Sequence, residues 1–202
     1  VQAGDSVAIF GVGGVGLSAV VAASARGADP LIAVDLDDEK LAFARRFGAT
    51  HTINAGKADP IAEIRALTQK SDRSTIRRET VAGADFVFDC IGIKKTMEQI
   101  VPAARTGFFG GESGGTAVLV GVPTTGVELD PLDLLMNEQR FIGSIGGSCS
   151  PDRDFPRYIK WHQEGTLDLE SLVTERFRIE DINAATAALE TGEIQGRAIL
   201  VF

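Results

Sequence analysis

Apolar positions along this chain fall in short unbroken runs that alternate with stretches of helical spacing. Val7 to Phe10 is the first run, closed by Gly11; such a run is too short for a helix and predicts a strand buried on both faces. A small-residue helical pattern opens at Val15, and Leu31 to Val34 is the second run. Glu39 to Phe47 places Leu41, Ala42, Ala44 and Phe47 at helical spacing before Gly48 stops it. His51 to Ile53 predicts a short third strand, Ile61 to Leu67 the helix after it, and Ala84 to Cys90 a fourth strand. Lys94 to Ala104 continues as helix, and Thr116 to Val122 as a buried strand ending in Gly121 and Pro123. Gln69 to Thr80 is polar and charged without an apolar period, which predicts a helix end and a surface loop. Strands alternating with helices, in a unit that is then doubled, predict an α/β fold on a doubly wound parallel sheet.

From Pro131 the pattern changes. Leu132, Leu134, Leu135 and Met136 form an apolar cluster, and Arg140 to Ile145 an extended run. Phe155 to Glu164 and Glu180 to Leu189 read as amphipathic helices, and Arg197 to Phe202 as a closing strand. The expected division is residues 1–145 as the sheet domain, with 146–202 a tail that completes a neighbouring domain.

Candidate chemistry sits where the first strand ends. Gly11-Val12-Gly13-Gly14-Val15-Gly16 joins that strand to its helix, and Asp35 closes the second strand nineteen residues after Gly16. Strand, glycine turn, helix, strand and acid at this spacing form a dinucleotide-binding fingerprint. Gly11 permits the tight turn, Gly13 keeps a Cβ away from a pyrophosphate, and Gly16 lets the helix lie close to the sheet. The unpaired N–H groups that open the helix then face the phosphates. Asp35 can accept hydrogen bonds from an adenosine ribose diol, which selects NAD over NADP. A 2′-phosphate beside that carboxylate meets a repulsion of roughly 4 kcal/mol per unit-charge pair at about 4 Å and an effective dielectric near 20. Leu36, Asp37, Asp38 and Glu39 follow without an arginine and deepen the negative field. The plainer alternative is a glycine turn of any α/β domain with Asp35 as a solvated strand end. Gly107 to Gly115 is also glycine-rich, but no Gly-Lys-Ser or Gly-Lys-Thr follows, so a surface turn is expected there and not a phosphate loop.

Composition narrows the class. The chain has 202 residues, 44% hydrophobic, and a net charge of −8, enough for a sizeable core and unfavourable for nucleic acid. No run approaches the ~20 apolar residues of a membrane span, and no signal peptide precedes Ser6. Two cysteines, Cys90 and Cys149, make no disulfide framework, so a cytoplasmic setting is expected. The start at Val1, without methionine and one short turn before the first strand, points to a fragment, with methionine removal as the alternative.

Further motifs carry a family resemblance. With Gly-Val-Gly-Gly-Val-Gly at 11 to 16 go Ile-Ala-Val-Asp at 32 to 35, Phe-Gly-Ala-Thr at 47 to 50 and Val-Leu-Val-Gly-Val-Pro at 118 to 123. Gly-Ser-Ile-Gly-Gly-Ser at 143 to 148, Ile-Glu-Asp-Ile-Asn at 179 to 183 and Gly-Arg-Ala-Ile-Leu-Val-Phe at 196 to 202 complete them, in order along nearly the whole chain. The chain resembles the coenzyme-binding part of a zinc-dependent medium-chain alcohol dehydrogenase. That resemblance implies a six-stranded parallel Rossmann sheet, NAD as cofactor, and hydride transfer between an alcohol or aldehyde and NAD(H).

It also implies roles for residues. Asp35 matches the acid of the adenosine ribose and Lys40 the lysine that reaches the same ribose; Gly13, Gly14 and Val15 match the pyrophosphate turn. Ile91 and Gly92 match the residues that lie along the cofactor after the fourth strand, Val120 and Val122 the pair flanking the nicotinamide carboxamide, and Arg197 the cationic partner of the pyrophosphate. Read alone, Lys40 is a solvated helix lysine and Arg197 a surface strand residue. The family's zinc ligands and most of its alcohol pocket belong to an amino-terminal catalytic domain that this chain lacks. His51, His162, Cys90 and Cys149 are scattered, so zinc is expected only in that missing domain. The Gly107 to Gly115 stretch is longer than the family's usual connection. The resemblance further implies a homodimer or homotetramer, pairing through the edge strand Arg140 to Ile145; the alternative is an edge covered by the chain's own tail. A stand-alone NAD-binding or redox-sensing module is the second reading, and a zinc-free reductase, disfavoured by Asp35, the third. Primary alcohols, polyols and thiol-adduct aldehydes all remain as substrate classes.

Overall fold

The computed structural model describes residues 1–70, 80–107 and 111–202; most of the polar Gln69 to Thr80 segment and Gly110 lie outside them. Strands β1 (Val7–Phe10), β2 (Leu31–Asp35), β3 (His51–Asn54), β4 (Phe86–Asp89), β5 (Thr116–Leu119) and β6 (Arg140–Gly143) form one parallel sheet in the order β3-β2-β1-β4-β5-β6. This is the doubly wound Rossmann order, with the reversal between β1 and β4. The register sets Phe10 level with Val34 on one side and Asp89 on the other, so the strands on either side of the reversal end on one line.

Both faces of the sheet are covered. Val7 and Ile9 pack with Leu17, Val20, Leu31 and Leu41 on one face, while Ala8 and Phe10 pack with Ile32, Ile64, Val87 and Ile100 on the other. Alternate residues of β1 therefore enter opposite cores, which is why the run has no polar position. The helices are α1 (Gly14–Ala25), α2 (Asp38–Arg46), α3 (Pro60–Leu67), α4 (Lys94–Ala103), α5 (Pro131–Asn137), α6 (Pro151–Gln163) and α7 (Ile182–Thr191). Asp37, Asp59 and Asp130 cap α2, α3 and α5 by accepting backbone N–H groups. No helix among the described residues is long and apolar enough to cross a membrane.

Two elements were missing from the sequence-level expectation. The apolar cluster at Leu132 to Met136 is the short helix α5; its start is written in Asp130-Pro131, a capping acid before a proline in the first turn. Val173–Arg178 forms β7, which pairs in parallel with β8 (Arg197–Val201) through the crossover helix α7. Its charged, half-exposed sequence carries no continuous apolar run. The expected strands Ala84 to Cys90, Thr116 to Val122 and Arg140 to Ile145 are shorter in the fold, spanning Phe86–Asp89, Thr116–Leu119 and Arg140–Gly143. Leu167 and Leu172, from the tail, are buried in the same core as Val20 and Leu41.

Candidate functional site

The predicted residues converge on the carboxyl edge of the sheet at the β1/β4 reversal. Gly11 leaves β1 with φ +81°, and a Cβ there would lie 2.3 Å from Cγ1 of Ile91, the second residue past β4. Only glycine accepts both the left-handed backbone and that approach. Gly16 faces the carbonyl oxygen of Gly11, 1.7 Å from where its Cβ would be, so α1 rests directly on the turn. At Gly13 the opposite holds: no atom lies within 4 Å of an added Cβ. The turn is thus closed toward the protein and open toward solvent at the residue that precedes α1.

Arg197, from β8, stands over this opening. Its Nη1 lies 2.8 Å from the position a Gly14 Cβ would take, and its Nη2 donates to Ser18 Oγ at 3.4 Å. Ser18 Oγ in turn donates to the Gly14 carbonyl at 2.9 Å. A guanidinium and the free N–H groups at the start of α1 therefore face one space, an arrangement suited to an anion. Gly13, Gly14, Val15, Lys40, Ile194 and Arg197 line part of a cleft of about 450 Å³ that continues between α7 and β8. Lys40 Nζ reaches across it toward Gly192.

Asp35 is more deeply engaged than the sequence implies. Its Oδ2 accepts the Val12 N–H at 2.9 Å, and its Oδ1 the N–H groups of Leu36 and Asp37 at 2.7 and 3.2 Å. A carboxylate offers about four acceptor sites, so capacity remains for a diol. The acids after it are occupied locally. Asp37 caps α2, Glu39 accepts from Gln195 Nε2 at 2.8 Å, and Asp38 is held below the usual carboxylate range by hydrogen bonds from Lys57 and Asn54. Of these acids, Asp38 is offset by the Lys57 cation, while Asp37 and Glu39 accept from neutral donors and keep their charge beside Asp35.

The other half of the edge is built from the ends of β4 and β5. Gly92, at φ +87°, would set a Cβ 2.4 Å from the Val122 carbonyl oxygen, and Gly121 would set one 2.3 Å from the Gly92 nitrogen. Ile91 and Gly92 therefore lie directly against 120–122. The Ile91 and Val122 side chains stay exposed, Val122 by 81%. Asp89 accepts from the Ile91 and Gly92 N–H groups with its side chain. Gly121 and Asp89 escaped the sequence reading; the available signal was a glycine inside Val-Gly-Val-Pro and an acid ending an apolar strand level with Phe10.

Metal chemistry finds no donor set here. Among the described residues no three His, Cys, Asp or Glu side chains are grouped to hold an ion. Burial, aided by the Asp89 charge, pushes the Cys90 thiol up to about 12, which makes it an inert packing residue. In the glycine-rich stretch, Gly107, Gly114 and Gly115 lie against backbone, Gly107 and Gly114 both facing the Asn137 carbonyl oxygen, so none of these three leaves open space for a phosphate.

Known proteins share this fold. A family described as zinc-binding dehydrogenase matches residues 14–164. S-(hydroxymethyl)glutathione dehydrogenase from Saccharomyces cerevisiae is 32% identical over 194 residues, covering 96% of this chain and 47% of the relative. The crystal structure of benzyl alcohol dehydrogenase from Acinetobacter calcoaceticus is similar with a TM-score of 0.84 at 30% identity, over 99% of this chain and 50% of that one. A zinc-binding dehydrogenase from Sinorhizobium meliloti bound to NADP has a TM-score of 0.72 at 26% identity, over 98% of this chain and 50% of its own. The chain spans about half the length of these relatives. With the fold, the glycine turn and the match over most of its length in agreement, the chain belongs to the zinc-binding dehydrogenase family.

Proposed function

We propose that this chain is the NAD-binding half of a zinc-dependent alcohol dehydrogenase, an oxidoreductase acting between a small alcohol or aldehyde and NAD(H). The observation that carries the reading is Gly13, with open space before it at the start of α1, next to Gly14, against which the Arg197 guanidinium lies. In this reading the N–H groups of 13–15 and the Arg197 guanidinium bind the pyrophosphate, and Asp35 and Lys40 hold the adenosine ribose. Ile91, Gly92, Val120 and Val122 border the nicotinamide, where exposed apolar side chains exclude water from one side of the ring. NAD, when bound, supplies the hydride acceptor; the chain's residues orient it and provide no acid, base or metal. Zinc and the alcohol pocket then belong to residues outside this chain, and the 202-residue chain is inactive alone.

Asp35 favours NAD, whereas the Sinorhizobium relative was solved with NADP, so cofactor choice is the first point to test. Titration calorimetry of the chain with NAD and with NADP, beside an Asp35→Ala variant, reads it directly. Tighter binding of NAD, with the preference lost in the variant, supports the proposal; binding of neither overturns it. Two further features support companion readings. Among the described residues β6 pairs with β5 alone and exposes Ile142, which suits a homodimer or homotetramer joined along that edge. Cys90 and Cys149 are both free thiols, which suits the cytoplasm. Residues 146–202 form the part that joins the catalytic half, their small β7-β8 sheet lying outside the main one.

A further inference from the structure

Asp89 ends β4 with 0% exposure, and none of the roles above uses it. Its Oδ1 accepts the Ile91 N–H at 3.2 Å and its Oδ2 the Gly92 N–H at 3.0 Å. Its main-chain oxygen accepts from both the Val120 and Gly121 N–H groups at 2.9 Å. One buried residue thus ties together the two turns that form the nicotinamide side of the cleft. Those turns meet backbone to backbone at Gly92 and Gly121, which leave no room for a side chain between them. Burying a carboxylate is costly unless it is well paired, and this one is satisfied by the N–H groups of the turn it holds.

We infer that Asp89 is a positioning residue for the nicotinamide half of the cofactor, which rests on the NAD-binding reading above. It fixes the backbone of 91–92 against 120–122, so the wall that meets the nicotinamide ring is formed before the cofactor arrives. A preformed wall avoids the ordering cost that a loose pair of turns would impose on binding. The adenosine and pyrophosphate end is held through different contacts, at Gly13, Gly14, Asp35 and Arg197.

NADH and ADP-ribose share every group up to the nicotinamide, so their difference isolates this half. The experiment measures both affinities for the unmodified chain, for Asp89→Asn and for Gly121→Ala. Asp89→Asn keeps the volume but turns one accepting oxygen into an NH₂ that faces an N–H. Gly121→Ala disturbs the same contact without touching the carboxylate. The unmodified chain is expected to bind NADH more tightly than ADP-ribose. Both variants should bind NADH about tenfold more weakly, with ADP-ribose within about twofold. Equal loss for both ligands would reduce Asp89 to a fold residue and overturn the inference, as would equal affinity of the unmodified chain for both. Amide NMR of the unmodified chain decides without any variant: Gly92 and Gly121 must respond to NADH and not to ADP-ribose, and silence of both overturns it. Binding of neither ligand by the unmodified chain would instead bring down the NAD reading itself.

Discussion

The Val12 N–H donates to Asp35 Oδ2 at 2.9 Å, so the carboxylate that ends β2 also holds the glycine turn that ends β1. In the NAD-binding reading proposed above, cofactor selectivity and loop geometry are coupled through this one side chain. Asp35→Ala is expected to lose its preference by losing NAD, without a matching gain for NADP. It also strands a turn N–H, which costs about 1–3 kcal/mol of stability. Denaturant titration beside calorimetry checks both; tight NADP binding by a fully stable variant would contradict the coupling.

Gly13 and Gly16 separate binding from folding. Gly16→Ala drives a Cβ into the Gly11 carbonyl, backbone against backbone, and is expected to destabilise the chain by at least about 3 kcal/mol. Gly13→Ala meets no atom and has an ordinary φ of −69°, so stability should stay within about 1 kcal/mol. In the proposed reading its methyl group enters the space of the pyrophosphate, and NAD affinity should fall about tenfold or more. Urea midpoints and NAD titrations on the two variants give opposite patterns if this is right.

Arg197 is an exposed residue whose guanidinium donates to Ser18 Oγ, which in turn donates to the Gly14 carbonyl. Arg197→Ala should weaken NAD about tenfold and flatten the salt dependence of binding, with little change in melting temperature. Arg197→Lys should recover only part of the affinity, because an ammonium cannot offer a forked pair of donors. Affinities at low and high ionic strength test both statements.

Asp85 carries a pH dependence at the amino end of the sheet. Burial raises its carboxyl, but the Ser6 hydroxyl and N–H and the Arg105 Nε bond at 2.6 Å outweigh this and hold it below the ordinary value. A depressed carboxyl stabilises the fold above its unfolded value, near 3.9, and that contribution is lost as pH falls through the folded value. Asp85→Asn should therefore cost about 1.5–3 kcal/mol at neutral pH. The gap between the two proteins should close below about pH 4. Urea unfolding across this range reads the gap; a gap independent of pH would contradict the assignment.

Much of the sheet domain was legible because its signals are local. A strand buried on both faces must be apolar throughout, so β1 and β2 stand out from any surrounding pattern, and Gly48 marks the end of α2 to within two residues. β7 was not legible, because a half-exposed strand of a two-stranded sheet satisfies its pairing with β8, beyond a whole helix, and needs no apolar run. Asp89 was not legible as part of the site for a related reason: its partners at 120 and 121 are distant in sequence, and only the parallel register of β4 on β5 brings them together.

The sequence by itself determined the glycine turn, the acid at the end of the second strand and the alternation that makes a parallel sheet, since each rests on steric or periodic rules acting over a few residues. The tertiary structure alone decided that Arg197 stands over Gly14, that Asp35 is bound to Val12, and that Gly92 and Gly121 close against each other. Those relationships depend on strand order and register, which a chain acquires only when separate segments share one core.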